Sequence, residues 1–229
     1  FDGLFRVQNL VFNNDGEHLY SVSAFSSNNI EDNAVSLYER TASTGNLSAP
    51  SFILDAAQAQ GNPPQELRWP RDLILNTTGD RAYLVSYYAG KIGEYYVSEN
   101  GILSPRSTIG FEDVISLYGA QYIARSSDGK DLYVVGRNDN NVNSSSGITV
   151  IDAKNFQVTQ SLPNTDSLTS LWPSCIVVSP DDQHVLVNSV TPGKIWNFTR
   201  NLNSGEISLY QTIDQTNITH LNGLNEMVF

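Results

Sequence analysis

Short stretches in which apolar and polar residues alternate recur along the chain in pairs, each pair joined by a tight polar turn. The pairs are NLVFNNDGEHLYSVS from Asn9, DLILNTTGDRAYLVS from Asp72, YIARSSDGKDLYVVG from Tyr122 and CIVVSPDDQHVLVNS from Cys175. Period-two alternation, β-branched and aromatic residues, and an Asp-Gly or similar turn predict a β-hairpin in each. With Asp15, Thr78, Asp128 and Asp181 in one register the intervals are 63, 50 and 53 residues, and Tyr20, Tyr83, Tyr133 and Leu186 each follow five places on. Every hairpin leads to a third alternating segment: AVSLYER from Ala34, KIGEYYVSE from Lys91, GITVIDAK from Gly147 and KIWNFTR from Lys194. A fourth segment closes each unit: LSAPSFIL from Leu47, LSPRSTI from Leu103, QVTQSLP from Gln157 and ISLYQTI from Ile207.

Four antiparallel strands repeated at a period near fifty residues make up a propeller blade. The pattern predicts an all-β fold, a β-propeller of four four-stranded blades over residues 5–60, 68–112, 118–165 and 171–218, in one domain spanning 1–229. Residues 222–229 read as the first strand of a fifth blade, because Met227 to Phe229 matches Leu10 to Phe12. Redundant ends of this kind imply a segment of a larger ring, further blades belonging to the same parent chain; a self-contained four-bladed ring is the alternative. Pro50, Pro105 and Pro163 fall in the fourth segments, as suits outer edge strands that need not donate every ladder hydrogen bond. No window shows sustained 3.6-residue periodicity, so negligible helix is expected.

A longer repeat overlies the first. Trp69-Pro70 and Trp172-Pro173 lie 103 residues apart, as do Gly90-Lys91-Ile92 and Gly193-Lys194-Ile195, whereas units one and three carry the polar insertions SSNNIEDN from Ser26 and NDNNVNSSSG from Asn138. The two Trp residues are expected in matching positions, each wedged between neighbouring blades, with stacking on a sugar ring as the competing reading.

The units SSDGKDLYVVG…GITVIDAKNFQV and NNDGEHLYSVS…DNAVSLYERTASTGNLS resemble the blades of lactonase-like, YVTN-type β-propellers, whose pattern is S-P-D-G-K-x-L-Y-V followed by a strand and T-G-x-L. The resemblance runs over essentially the whole chain and specifies fold far better than function. It implies either a sugar-lactone hydrolase or a surface protein without catalytic activity. In the lactonase relatives Arg, His and Glu groups around the channel are associated with activity, and Arg71, His220 and Glu226 supply those residue types here.

Composition then removes several function classes. Of 229 residues 40% are hydrophobic, enough for a sizeable core, and 24 acidic against 13 basic residues give a net charge of −11. Without a Lys/Arg cluster, nucleic acid is excluded as an expected partner. No run of 18 apolar residues occurs and Phe1-Asp2-Gly3 does not open a signal sequence, so a soluble, not membrane-embedded, mature or excised segment is expected. Cys175 is the single cysteine, read as a small buried hydrophobe in a strand. Asn-x-Ser/Thr triplets at Asn46, Asn76, Asn143, Asn197 and Asn217, with few Lys and many Asn, Ser and Thr, point to an extracellular, periplasmic or cell-surface location.

The candidate site lies where the innermost strands begin. Seven places before each turn anchor stand Gln8, Arg71, Gln121 and Ser174, with Asn225 in the incomplete unit, and every one is polar. Next come Asn9, Asp72, Tyr122, Cys175 and Glu226, then an apolar position at Leu10, Leu73, Ile123, Ile176 and Met227. A polar ring over an apolar wall suits a small-molecule pocket at a channel mouth, formed by Gln8, Arg71, Asp72, Gln121, Ser174 and Asn225, or a solvated channel that binds nothing. Arg71, beside Arg68 and Asp72, suits a carboxylate or pairs structurally with Asp72. His18 and His184 share a register in hairpin turns, which leaves His220 as the histidine near the mouth. Calcium is the one cofactor the composition admits, through Glu31-Asp32 and Asp139, but neither segment has calcium-loop spacing and no metal site is assigned. No phosphate loop, nucleophile elbow or Cys/His ligand spacing occurs. The residues alone therefore rank a non-catalytic recognition or scaffold module first, with a protein or carbohydrate ligand, and a lactonase-like hydrolase of a sugar lactone second.

Overall fold

A computed structural model describes residues 6–24, 33–55, 68–137, 147–163, 172–190, 193–214, 221, 223 and 227–228. The chain divides into two compact units, Phe1–Gly110 and Phe111–Phe229. In the first unit β1 (Val7–Phe12), β2 (His18–Ser23), β3 (Ala34–Glu39) and β4 (Phe52–Asp55) form one antiparallel sheet. A second sheet holds β5 (Pro70–Leu75), β6 (Arg81–Ser86), β7 (Lys91–Val97) and β8 (Leu103–Gly110). The second unit repeats the plan with β9 (Ala120–Arg125), β10 (Asp131–Gly136), β11 (Gly147–Asp152) and β12 (Gln157–Pro163), then β13 (Pro173–Val178), β14 (His184–Ser189), β15 (Lys194–Arg200) and β16 (Ile207–Asp214). In every sheet the spatial order follows the chain, so the architecture is that of an incomplete, all-β propeller. Among the described residues the one helical element is a single 3-10 turn, Ile115–Leu117.

The same local chemistry closes all four hairpins. Two places before each turn anchor, the side-chain oxygen of Asn13, Asn76, Ser126 or Ser179 accepts the backbone N–H of the residue five further on, at 3.0, 3.1, 3.0 and 2.9 Å. The turn then needs a left-handed residue, supplied by Gly16, Gly79 and Gly129 at φ +74°, +79° and +72°. In the fourth hairpin Asp182 takes that conformation at φ +58°. Its carboxylate accepts from Ser127 N at 2.7 Å and Ser127 Oγ at 2.6 Å, which holds an aspartate where glycine is otherwise preferred.

Alternation along the strands sends one row of side chains into the space between the two sheets of each unit. In the first unit Tyr20, Val22, Val35 and Leu37 meet Leu73, Leu75, Ala82, Leu84, Tyr95 and Leu103. In the second, Tyr133, Val135, Ile148 and Val150 meet Ile176, Val185, Val187, Trp196, Phe198 and Ile207. The Tyr20 and Tyr133 hydroxyls cross their cores to donate to Gly101 O at 2.7 Å and Gly205 O at 2.9 Å. Burial, aided by the Asp15 charge, pushes the Tyr20 phenol up to about 12, so it stays a donor at any physiological pH.

The prolines fall in or beside the outer strands of their sheets, as expected. Pro105 lies within β8 opposite Tyr95, next to a register shift that removes the strain of its missing donor, while Pro163 ends β12 and Pro50 precedes β4. The expected strand at 222–229 and the insertions at 26–33 and 138–147 fall largely outside the described residues.

Candidate functional site

The ends of the innermost strands opposite the hairpin turns are built by a second repeated device. Ala24, Tyr87, Arg137 and Val190 each donate a backbone N–H to the carbonyl eighteen residues earlier, on Arg6, Trp69, Gly119 and Trp172, at 3.3, 2.9, 2.9 and 3.1 Å. Arg6, Trp69 and Gly119 are left-handed, at φ +51°, +59° and +66°. This bend delivers the chain into the first strand, and each first strand then slips register by one residue.

The slip falls on the same place every time. The ladders jump between Val7 and Asn9, Pro70 and Asp72, Ala120 and Tyr122, and Pro173 and Cys175. The extra, unpaired residues are therefore Gln8, Arg71, Gln121 and Ser174, four of the five positions that the sequence register marks as a polar row. A bulge re-aims its side chain out of the regular alternation and recurs beside binding and active sites, because it frees one residue from the ladder.

Within the first unit the row is hydrogen-bonded from sheet to sheet. Arg71 Nη1 donates to Gln8 Oε1 at 2.7 Å, and Gln8 Nε2 donates to Arg6 O at 2.9 Å. One residue on, Asn9 Nδ2 donates to Asp72 Oδ1 at 2.6 Å. Gln8 is exposed and Arg71 half-buried, while Asp72 is buried. A guanidinium fixed on one edge by a glutamine keeps its other N–H groups for an oxygen anion or carbonyl.

In the second unit Gln121 and Ser174 are buried, and Gln121 Nε2 lies 3.5 Å from Tyr122 Oη. Trp172, immediately before β13, is 40% exposed and carries the Arg137 guanidinium 3.9 Å above its ring. An exposed indole backed by a guanidinium offers an apolar, electron-rich face to a sugar ring. Two acceptors of these rows, Asn9 Oδ1 and Gln121 Oε1, are buried without a hydrogen-bond partner. Such an orphan costs about 1–3 kcal/mol and is tolerated where a bound molecule supplies the missing donor.

Several expectations need correction. Trp69 and Trp172 hold equivalent backbone positions, as their shared carbonyl bonds show, but their rings do not share surroundings. Trp69 packs against Tyr87 and Tyr88 of its own sheet, at 5.9 and 4.8 Å between ring centroids, whereas Trp172 meets Arg137 and solvent. The wedge between blades is therefore not borne out for Trp69, whose described ring contacts stay beside its own sheet, while Trp172 touches the neighbouring sheet through Arg137 but remains 40% exposed. The apolar position holds for Leu73, Ile123 and Ile176, all buried, but Leu10 is 60% exposed. Within the first unit Val11 packs on the core, so alternation turns Leu10 and Phe12 to the opposite face, which no second sheet of that unit covers. His18 and His184 do sit at hairpin ends, half-buried rather than exposed, and accept or donate at Nδ1 with Asn13 and Asn197. Cys175 is half-buried, its Sγ 3.7 Å from Met227 O. His220, Asn225, Glu226, Glu31, Asp32 and Asp139 lie outside the described residues. Sequence reasoning missed Arg137, whose only signal was its place eighteen residues after Gly119.

Comparison with known proteins agrees with this architecture. Residues 64–220, more than half of the chain, match the family model described as lactonase, 7-bladed beta-propeller. Among solved structures, a candidate 6-phosphogluconolactonase of Bacteroides fragilis is similar at 20% identity and a TM-score of 0.68, over 91% of this chain and 55% of its own. The periplasmic gluconolactonase of Pseudomonas aeruginosa is similar at 21% identity and a TM-score of 0.66, over 91% and 54%. A protein from Lactobacillus plantarum gives 20%, 0.66, 90% and 54% in the same order. The chain thus spans about half the length of these structures. No curated protein matches it.

Proposed function

Because the chain belongs to the lactonase family of seven-bladed β-propellers, we propose that the protein carrying it hydrolyses a sugar lactone at the bulged starts of the innermost strands. The observation that carries the reading is the coincidence of the family match with a polar bulge residue in all four first strands. Lactone hydrolysis adds water to the ring carbonyl carbon, breaks the bond to the ring oxygen and protonates that oxygen, giving a hydroxy acid. It requires a donor set for the carbonyl oxygen as it gains charge, a base for the water and contacts for the ring hydroxyls.

Arg71, held by Gln8, is the donor to the carbonyl oxygen in this proposal. Asn9 Oδ1, in the same unit, accepts from a ring hydroxyl, which relieves its buried, unpaired state. His220 and Glu226 are the proposed acid and base, on the residue types that the family resemblance implies. Export from the cytoplasm belongs to the same proposal, supported by the Asn-x-Ser/Thr triplets and by the periplasmic relative. Of the described triplets only Asn46 is exposed; Asn76 Nδ2 donates to Thr78 and Asp80, and Asn197 Oδ1 to His184 is already engaged.

The recognition-module reading rested on the absence of a catalytic motif and on two polar insertions that lie largely outside the described residues, and the family match weighs toward the enzyme. Turnover of aldonolactones above the spontaneous rate decides the matter. In the protein carrying this chain, Arg71→Ala is expected to lower kcat/KM by about 10²- to 10³-fold, as loss of one donor to a developing oxyanion does. No turnover above background across aldonolactones of five- and six-membered rings would return the recognition module to first place.

A further inference from the structure

Three Asn-x-Ser/Thr triplets fall among the described residues, and the fold treats their asparagines differently. Asn76 is half-buried before the β5–β6 turn and fully engaged. Its Nδ2 donates to Thr78 Oγ1 at 2.9 Å and to Asp80 Oδ1 at 2.7 Å, and its Oδ1 accepts from Arg81 N at 3.1 Å. Asn197 is half-buried in β15, which β14 and β16 pair on either side, and its Oδ1 meets His184 Nδ1 at 3.0 Å. Asn46 stands in the β3–β4 connection, where every residue from 41 to 49 is exposed. Its backbone is fixed, with Thr41 N donating to Asn46 O at 2.8 Å and Asn46 N to Thr44 Oγ1 at 3.2 Å. Its side-chain amide makes no hydrogen bond among the described residues.

The exposure of Asn46 belongs to the turn itself rather than to open space beside it. The β15–β16 connection closes in the same way, with Asn201 N donating to Glu206 O and Gly205 N to Asn201 O, each at 2.8 Å; in the first sheet Gly45 N donates to Thr41 O at 2.7 Å. Glu206 therefore holds the place of Asn46. Its turn is packed on the adjoining sheet, since Tyr133 Oη donates to Gly205 O, yet Glu206 stays exposed. The same is true after β7, where Ile102 is exposed although Tyr20 Oη donates to Gly101 O. A blade packed against the first sheet would thus leave Asn46 in solvent.

We propose that Asn46 is an acceptor for an N-linked oligosaccharide, its use in the natural protein resting on the export reading. In the transfer, Asn46 Nδ2 bonds to C1 of the first sugar and the bond from C1 to the oxygen of a polyprenyl diphosphate carrier breaks. The diphosphate leaves with the bonding pair, and the amide gives one proton to a base of the transferase. Transfer acts on the emerging chain, so folding is the step that discriminates. A glycan on Asn46 breaks no hydrogen bond and covers the exposed Leu47 side chain. On Asn76 it takes an N–H from the hairpin cap, and on Asn197 it presses on the strands at either side, so each opposes completion of the fold. Because Glu39 pairs with His18, the connection lies at the hairpin-turn end of the first sheet, about 20 Å along the strands from the Gln8 bulge. A glycan there leaves the bulged strand starts open.

Secretion of the full chain from a eukaryotic host behind a supplied leader tests the proposal, by glycopeptide mass spectrometry before and after peptide-N-glycosidase treatment. A glycan is expected on Asn46, with conversion of that asparagine to aspartate on enzymatic release, and Asn76 and Asn197 are expected bare. Asn46→Gln is expected to remove the glycan and to keep Tm within about 2 °C of the enzymatically deglycosylated protein. Ser48→Ala, which destroys the triplet and keeps the asparagine, is expected to leave Asn46 bare as well. Asn76→Gln is expected to lower Tm with the Asn46 glycan unchanged. The supplied leader imposes export, so the two readings fail separately: a natural protein retained in the cytoplasm removes the export reading, while glycosylated Asn46 in the secreted chain still supports the acceptor. A bare Asn46 in the secreted protein, or a glycan on Asn76 or Asn197 of the folded protein, overturns the proposal.

Discussion

Asp182 is the residue at which local preference and tertiary contact pull in opposite directions. Three hairpins place glycine at the left-handed turn position, and the fourth places an aspartate there at φ +58°. The conformation is disfavoured for a residue with a Cβ, and the bonds from Ser127 N, Ser127 Oγ and Asp128 N to its carboxylate offset the strain. Asp182→Ala keeps the strain and loses the bonds, so a loss of about 2–4 kcal/mol in urea unfolding is expected. Asp182→Gly, which relaxes the backbone, is expected to lose less. Asp128 carries a pH dependence. Burial tends to raise its pKa, but hydrogen bonds from Lys130 and Ser126 and the Arg200 charge hold it down at about 2. A carboxylate with a folded-state pKa below its unfolded value near 3.8 stabilises the protein above that value, and the contribution is lost as pH falls from about 4 to 2. Asp181, lowered mainly by its bond from Ser179, and Asp80, lowered mainly by its bond from Thr78, act in the same window. Tm followed from pH 5 to pH 2 is expected to fall steeply, and less steeply in Asp128→Asn.

At the level of elements, two devices recur at opposite ends of the innermost strands: a capped hairpin turn and a bend followed by a bulge. The hairpins are legible from sequence because Asn or Ser, then Asp-Gly, at fixed offsets has a direct conformational meaning. The bulges are not, since nothing in Gln8, Arg71, Gln121 or Ser174 except shared polarity and register marks an unpaired residue. Sheets within a unit are also joined by charge, and here the two units differ. In the second unit Arg200 ties β15 to β10 through Asp131, in the interior. Arg200→Val, which copies Val97 of the first unit, strands a buried carboxylate and is expected to cost about 3–5 kcal/mol. Adding Asp131→His, which copies His18, removes that stranded charge. The double variant is therefore expected to be more stable than Arg200→Val by at least about 1 kcal/mol, measured by a double-mutant cycle.

For the whole molecule, charge sets the clearest expectation. A net charge of −11 without a basic cluster adds repulsion toward a phosphate backbone and releases no counterions. No salt-sensitive mobility shift with DNA or RNA at micromolar protein is expected at physiological salt. No helix among the described residues is long and apolar enough to cross a membrane. The family match and the four meandering sheets place the chain in a seven-bladed family of which it spans about half a member's length.

The sequence by itself determined the all-β class, the sixteen strands to within a few residues, the hairpin chemistry and the polar row. These follow from short-range rules: period-two alternation, turn residues with restricted backbone preferences, and a repeat that makes each rule visible four times. Only the tertiary structure decided which side chains meet. Trp69 and Trp172 share a dipeptide and a backbone hydrogen bond, yet one ring packs on Tyr87 and Tyr88 and the other lies under Arg137 half in solvent. Val97 and Arg200 end equivalent strands, and the difference leaves a cavity in one unit and a buried ion pair in the other. Neighbours across sheets come from residues separated by tens of positions, and packing is settled by the size and charge of both partners together, which no local pattern encodes.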